Sequence, residues 1–150
     1  MLLAAMNPCP CGYYGDTQKA CRCSTTQIRQ YQSKISGPLL DRIDIHIEVP
    51  SLRYRELTSR ITAESSAEIR ERVMRARTTQ RSRFSGSNTL VNARMGERQI
   101  KAFCTIDEES HKLLEMAIDR LGMSARSFTR ILKVARTIAD LEAETHIQAP

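Results

Sequence analysis

Hydrophobic and polar positions alternate most regularly at Ile43, Ile45, Ile47 and Val49, set against Asp44, His46 and Glu48 and stopped by Pro50. A period of two predicts a strand with one polar face. Leu2 to Met6 is a short continuous apolar run ended by Asn7-Pro8, the pattern of a strand buried on both faces. Between them, residues 9 to 23 hold Cys, Pro, Gly and Asp and read as a loop. Ser24 with Gln27 three residues on forms a capping box, and Ile28, Tyr31 and Ile35 recur at helical spacing. That helix has to end before Gly37-Pro38.

Beyond about residue 51 the texture becomes charged and helical in period, which puts a domain boundary at residues 50 to 57. Ser65 and Glu68 predict a second capping box, opening a helix with the stripe Ile69, Val73, Ala76 and Phe84, supported by the i,i+4 pairs Glu68 with Arg72 and Glu71 with Arg75. Ser85 to Asn88 breaks it. A short helix is expected around Glu97 to Phe103. Thr105 with Glu108 predicts a third box, followed by a helix lined by Leu113, Leu114, Ala117 and Leu121 and ended by Gly122. Ser124 caps the last long helix, with Phe128, Ile131, Leu132, Ala135, Ile138 and Ala139 inward. His146-Ile147 reads as the opening of a further helix. The expected fold is mainly α: a helical bundle over residues 57–150, preceded at 1–56 by a partial α/β segment with a Cys-rich loop.

Composition refines this picture modestly. The chain has 150 residues, no Trp, three Phe and four Tyr, so its core is aliphatic, which suits helices. Twenty-three Lys and Arg against seventeen Asp and Glu give a net charge of +6, compatible with a polyanionic partner or with solvated helix faces. No stretch approaches the roughly 20 apolar residues of a membrane span, and the opening Met1 to Met6 lacks the basic leader of a secretory signal. A cytoplasmic location is expected, where disulfides are rare.

The four thiols Cys9, Cys11, Cys21 and Cys23 therefore suggest a tetrahedral structural Zn²⁺ rather than a disulfide framework. The C-x-C spacing and Pro10 depart from the commoner C-x-x-C pattern, and chance clustering is the other reading. Cys104, on an apolar stretch, reads as a core residue. Asn7 is either the start of an Asn-Pro turn or an amide beyond a strand end, where ligands of open α/β sheets sit. Arg42, between Asp41 and Asp44, is either a surface ion pair or a guanidinium for a transferring phosphoryl group. Arg126 lies in the first turn of its helix, where the macrodipole disfavours a cation and an anion would be welcome. Arg130 and Lys133 lie on the same polar face, and helical spacing reads equally as a solvated basic face. Arg70, Arg77 and Arg81 share one flank of their helix, spaced for a phosphate-tracking face, with a solvated basic flank as the favoured reading. His46, His111 and His146 do not converge, and the chain contains no G-x-x-x-x-G-K-[ST] phosphate loop.

The order Asn7-Pro8-Cys9-Pro10-Cys11-Gly12, then Gly37-Pro38-Leu39-Leu40-Asp41-Arg42-Ile43-Asp44, then Ser124-Ala125-Arg126, resembles the ComM/YifB branch of the magnesium-chelatase-type AAA+ ATPases. The resemblance implies a C-terminal portion of such a motor, with the end of the ATPase core followed by the helical lid. It implies that Asn7 and Arg126 are nucleotide-sensing residues and that Arg42 is an arginine finger acting on a neighbouring subunit. It further implies ATP and Mg²⁺ as cofactors of the full protein, a ring oligomer, typically a hexamer, and a role in remodelling DNA. A portion without a phosphate loop is expected to be inactive by itself. Two other readings remain at this point: a magnesium chelatase motor subunit, and a zinc-stabilised helical module that binds nucleic acid without ATP.

Overall fold

Locally encoded helix caps define most of the architecture. A computed structural model describes residues 2–51 and 63–148, and the chain divides into two compact units, residues 1–61 and 62–150. The boundary expected at residues 50 to 57 falls largely outside the described residues.

In the first unit, helix α1 (Thr25–Gln32) opens on the predicted box: Gln27 N–H donates to Ser24 Oγ at 3.2 Å, and Ser24 N–H donates to Gln27 Oε1 at 2.9 Å. The Gly37-Pro38 pair does not simply break the chain. It begins a one-turn helix, α2 (Gly37–Leu40), because a proline in the first turn loses no intrahelical hydrogen bond. The two expected strands are not formed. Among the described residues there is no strand, and Leu3, Ile45, Ile47 and Val49 are exposed. A strand is a half-structure that needs a ladder partner, and nothing in residues 2–51 supplies a sheet for either segment. The structure is accordingly mainly α, and the partial α/β segment expected at 1–56 is not formed among the described residues.

The second unit holds α3 (Ser66–Arg83), a 3₁₀ turn (Asn92–Arg94), α4 (Glu97–Phe103), α5 (Glu108–Leu121) and α6 (Ala125–Leu141). Ser65 and Glu68 form the expected box before α3. Arg75 pairs with Glu71 as expected, at 3.0 Å, whereas Arg72 reaches back to Glu64 at 2.6 Å because the Glu68 carboxylate is engaged by Ser65. The cap of α5 is Asp107, not Thr105: its Oδ1 accepts from Ser110 N–H at 2.8 Å, and aspartate is the stronger cap of the two. Gly122 ends that helix in the left-handed conformation, at φ 59°. Ser124 caps α6 by accepting from Ser127 N–H.

Helix α6 packs against α3, the 3₁₀ turn and α4. The apolar core joins Phe84, Met95, Ile100, Cys104, Leu132, Ala139 and Ile147, with Phe103, Leu114 and Phe128 against it, and the rings of Phe84 and Phe103 meet edge to face at 5.7 Å. Several expected stripe residues stay outside this core, since Ile69, Val73, Leu113, Leu121 and Ile138 are exposed. No helix opens at His146-Ile147 within the described residues. Instead, Ala143 adopts φ 62° and Glu144 N–H donates back to Ala139 O at 2.8 Å, a Schellman-type stop that turns the chain so that Ile147 enters the core.

A buried polar network fastens these pieces together. The Asp140 side chain is fully buried. It receives Arg83 Nη1 at 2.7 Å, Asn92 Nδ2 at 2.8 Å and Arg136 Nε at 3.1 Å. Arg136 also donates to Glu144 O and Thr145 O, at 2.6 and 2.8 Å, and so clamps the returning tail. Gln80 Oε1 accepts from Asn92 N–H, and Arg83 Nη1 from the other side reaches Asn92 Oδ1 at 2.9 Å. Burial alone would raise the Asp140 pKa, but the hydrogen bonds of Arg83 and Asn92 and the two guanidinium charges outweigh it, leaving it below the usual carboxylate range. A carboxylate with a depressed pKa contributes stability that is present above its unfolded pKa of about 3.9 and is lost as pH falls through the folded value. Asp140→Asn leaves two guanidiniums without their carboxylate, and a loss of about 3 kcal/mol in unfolding free energy is expected. Thermal melts from pH 7 to pH 2 should show both the loss and a weaker acid dependence in the variant. An unchanged pH profile would remove Asp140 from this role.

Candidate functional site

The loop between Pro8 and Ser24 is folded by its own backbone. Gly12 N–H donates to Cys9 O at 3.0 Å and Gly12 takes φ 84°, a conformation costly for any residue with a Cβ. A second reversal follows at Gly15, also at φ 84°. Asp16 Oδ1 then accepts from the backbone N–H groups of Gln18 and Lys19, at 2.6 and 3.1 Å, an Asx turn that directs the chain back toward its start. Lys19 Nζ lies 5.1 Å from the Tyr13 ring centroid across the same loop. These turns bring Cys21 and Cys23 against Cys9 and Cys11.

The four sulfurs lie within 4.8 Å of one another. Cys9 Sγ is 3.4 Å from Cys11 Sγ and 3.7 Å from Cys21 Sγ, and Cys11 Sγ is 3.6 Å from Cys21 Sγ. A disulfide would need about 2.05 Å, and all four are free thiols. Tetrahedral thiolates at about 2.3 Å from a Zn²⁺ stand about 3.8 Å apart, so the group is almost at the spacing of a closed four-sulfur centre. The cluster can therefore hold a metal ion. Its thiols differ in acidity: backbone N–H groups of Tyr13 and Arg22 aimed at Cys11 bring it down to about 6, whereas burial and the neighbouring sulfurs push Cys23 up to about 12.

Asn7 adjoins this cluster. It is exposed, two residues before Cys9, and a Cβ placed on Gly12 would stand 3.9 Å from Asn7 Cγ. Gln32, at the end of α1, donates through Nε2 to Pro8 O at 3.2 Å and ties the helix to the same corner. Arg42 is exposed beside α2, and its Nη1 donates to Pro38 O at 2.6 Å. The guanidinium therefore closes its own turn through one of its five N–H donors. Asn7 and the four cysteines are thus brought together, and Arg42 stands apart from them at α2.

Arg126 belongs to the second unit. It is exposed in the first turn of α6, after the Ser124 cap. Lys133, expected on the same basic face, instead donates to Ala93 O at 3.2 Å and serves packing. Cys104 is a core residue, and burial raises its pKa. The residues missed from sequence are Arg83, Asn92, Arg136 and Asp140. Their one visible signal was that Arg136 and Asp140, an oppositely charged pair four apart, border the apolar arc of Leu132, Ala135 and Ala139, about 40 and 80° to the Leu132 side.

Two family models cover the chain in succession. Residues 1–57 match the magnesium chelatase subunit ChlI model, and residues 63–150 match the magnesium chelatase subunit ChlI C-terminal model. Competence protein ComM of Haemophilus influenzae is 42% identical over 150 residues, 99% of this chain and 28% of that protein. YifB of Escherichia coli is 41% identical over 142 residues, 94% of this chain and 27% of its own length. The Mycobacterium bovis protein Mb2921c is 34% identical over 96% of this chain and 28% of its own. The chain thus spans little more than a quarter of the relatives it matches. Both units, in this order, place it in the magnesium chelatase (ChlI) family of AAA+ proteins, as a ComM/YifB-like member.

Proposed function

We propose that this chain works as the C-terminal part of an ATP-hydrolysing AAA+ motor that assembles as a ring, typically a hexamer, and remodels DNA. The observation that carries the reading is the exposed Arg126 guanidinium in the first turn of a capped helix, where backbone N–H groups and the macrodipole also favour an anion. Residues 1–56 would contribute the end of the ATPase core and residues 57–150 the lid. Asn7 and Arg126 would sense the nucleotide, and Arg42 would reach the phosphates bound by the next subunit. ATP and Mg²⁺ need a phosphate loop, which these 150 residues do not contain, so hydrolysis would require that loop from another segment of a longer polypeptide. Competence, the word in the ComM name, is the process we connect with the DNA role. The cysteine cluster favours this branch over a magnesium chelatase motor, and a nucleic-acid module without ATPase activity is the outcome left if the nucleotide tests fail. A bound Zn²⁺ would supply a cross-link between the two ends of the loop and no chemistry.

Three expected outcomes test this reading. Protein purified without added zinc should contain about one equivalent held by Cys9, Cys11, Cys21 and Cys23, and Cys11→Ser with Cys21→Ser should abolish it. Elemental analysis separates zinc from iron, which the same four sulfurs would also accept, and a metal-free preparation indifferent to zinc titration would overturn the assignment. In the full-length enzyme, Arg42→Ala should slow turnover about 10³-fold with nucleotide binding retained, and rings mixed with a phosphate-loop mutant should regain hydrolysis. Rings shown to mix without rescue would exclude action in trans. Arg126→Ala should weaken nucleotide binding about tenfold or more, the value of one charge-assisted hydrogen bond, measured by titration with a fluorescent ATP analogue. Unchanged affinity would take Arg126 out of the site.

A further inference from the structure

Helix α3 carries six arginines: Arg70, Arg72, Arg75, Arg77, Arg81 and Arg83. Three of them have acidic partners, Arg72 with Glu64, Arg75 with Glu71 and Arg83 with Asp140. Among the described residues, Arg70, Arg77 and Arg81 make no ion pair, and all three are exposed. At about 100° per residue, positions 70, 77 and 81 fall within an arc of about 40°. The inward residues Ala76 and Gln80 lie roughly 80 to 120° to one side of that arc, and Glu68 and Glu71 lie roughly 100 to 160° to the other.

Three faces therefore run along one helix: a packed face, an ion-paired face and a bare arginine stripe. The stripe has no acid three or four residues from any of its members, and Arg77 with Arg81 is a like-charge i,i+4 pair, which destabilises a helix by a few tenths of a kcal/mol. Helical rise spaces the three Cα atoms about 10 and 6 Å apart along the axis. A solvated surface would gain by interspersing the helix's own glutamates among these arginines. The arrangement instead collects the cations and segregates the acids.

We infer that the Arg70–Arg77–Arg81 stripe of α3 is a docking surface for the phosphate backbone of a nucleic acid. The inference deepens the proposed function, since it rests on the DNA-handling reading for its partner and names the surface that would meet it. Guanidinium forks suit phosphate oxygens, and contacts of this kind position a protein without reading sequence. Binding is accordingly indifferent to base sequence and steep in salt.

The test is fluorescence anisotropy with the 150-residue chain and labelled oligonucleotides, one single-stranded and one duplex, each in two unrelated sequences, between 50 and about 200 mM salt. Arg77→Ala and Arg81→Ala should each weaken binding to both sequences alike and lower the slope of log K against log salt by about 0.9 on duplex or 0.7 on single strand. Arg77→Lys should retain most of the slope, because the charge remains. Arg75→Ala, on the ion-paired face, should leave affinity and slope unchanged. Circular dichroism on each variant excludes unfolding as the cause. Binding by the wild type that the stripe variants leave intact, or that Arg75→Ala weakens equally, overturns the assignment of this surface while DNA handling stands. No salt-dependent binding to either oligonucleotide overturns the stripe assignment. If full-length protein also fails to bind, the DNA-handling reading falls too, and a stripe that pairs instead with an acidic protein surface becomes the alternative.

Discussion

The helical unit depends on one buried carboxylate. Asp140 near the end of α6 is held by Arg83 from the end of α3 and Asn92 from the 3₁₀ turn, and by Arg136 from its own helix. Each of those donors has a further partner: Arg83 in Asn92 Oδ1, Asn92 in Gln80, and Arg136 in the carbonyls of Glu144 and Thr145. Seven buried apolar residues make a small core, and apolar contacts tolerate sliding and repacking because they have no direction. A bidentate guanidinium on a carboxylate does not, since a shift by one residue leaves charged groups unpaired in a dry interior. The network thus sets the register of α3 against α6.

The first unit is built on a different constraint. Among residues 2–51 Cys9 alone is fully buried, and Ile28, Tyr31, Ile35 and Ile43 are only partly so. A segment that buries so little apolar surface has to be ordered by other means, and small domains in this position use disulfides or metals. The turns at Gly12, Gly15 and Asp16 converge on four thiols at near-tetrahedral spacing. Structural metal binding is itself folding free energy, so an ion held by this cluster would take the place that a hydrophobic core fills elsewhere. Leu2, Leu3, Ile45, Ile47 and Val49 stay exposed, since a loop closed at its two ends provides no sheet edge for them.

What was legible in the sequence follows from how far apart the interacting residues are. Caps at Ser24, Ser65 and Ser124 and the stop at Gly122 involve groups within three or four residues, and they formed as the local pattern predicted. The thiol cluster was readable for the same reason, with all four cysteines inside fifteen residues. Arg83 and Asp140 are 57 apart in the chain, and neither periodicity nor capping connects them. The alternation from Ile43 to Val49 was a correct reading of strand propensity and still produced no strand, since pairing is a property of two segments. Ile69 and Val73 show the complementary failure: they continue the stripe of Ala76 and Phe84 geometrically, but nothing in the described unit covers that end of α3.

Helix α6 joins the two kinds of constraint. Seventeen residues at 1.5 Å each make a rod about 25 Å long. Its first turn carries the exposed Arg126, and its last turns carry Arg136 and Asp140 in the network. From Arg126 to Asp140 the distance along the axis is about 21 Å, too far for direct interaction. A helix with no proline or glycine between these ends transmits orientation nearly rigidly, because bends concentrate at such residues. The direction in which Arg126 presents its guanidinium is therefore set at the opposite end of the helix, where Asp140 fixes the rod to α3. A displacement of α6 that moves Arg126 therefore also displaces α3, which the network ties to its far end, so the first turn of α6 and the arginine face of α3 are mechanically coupled through Asp140.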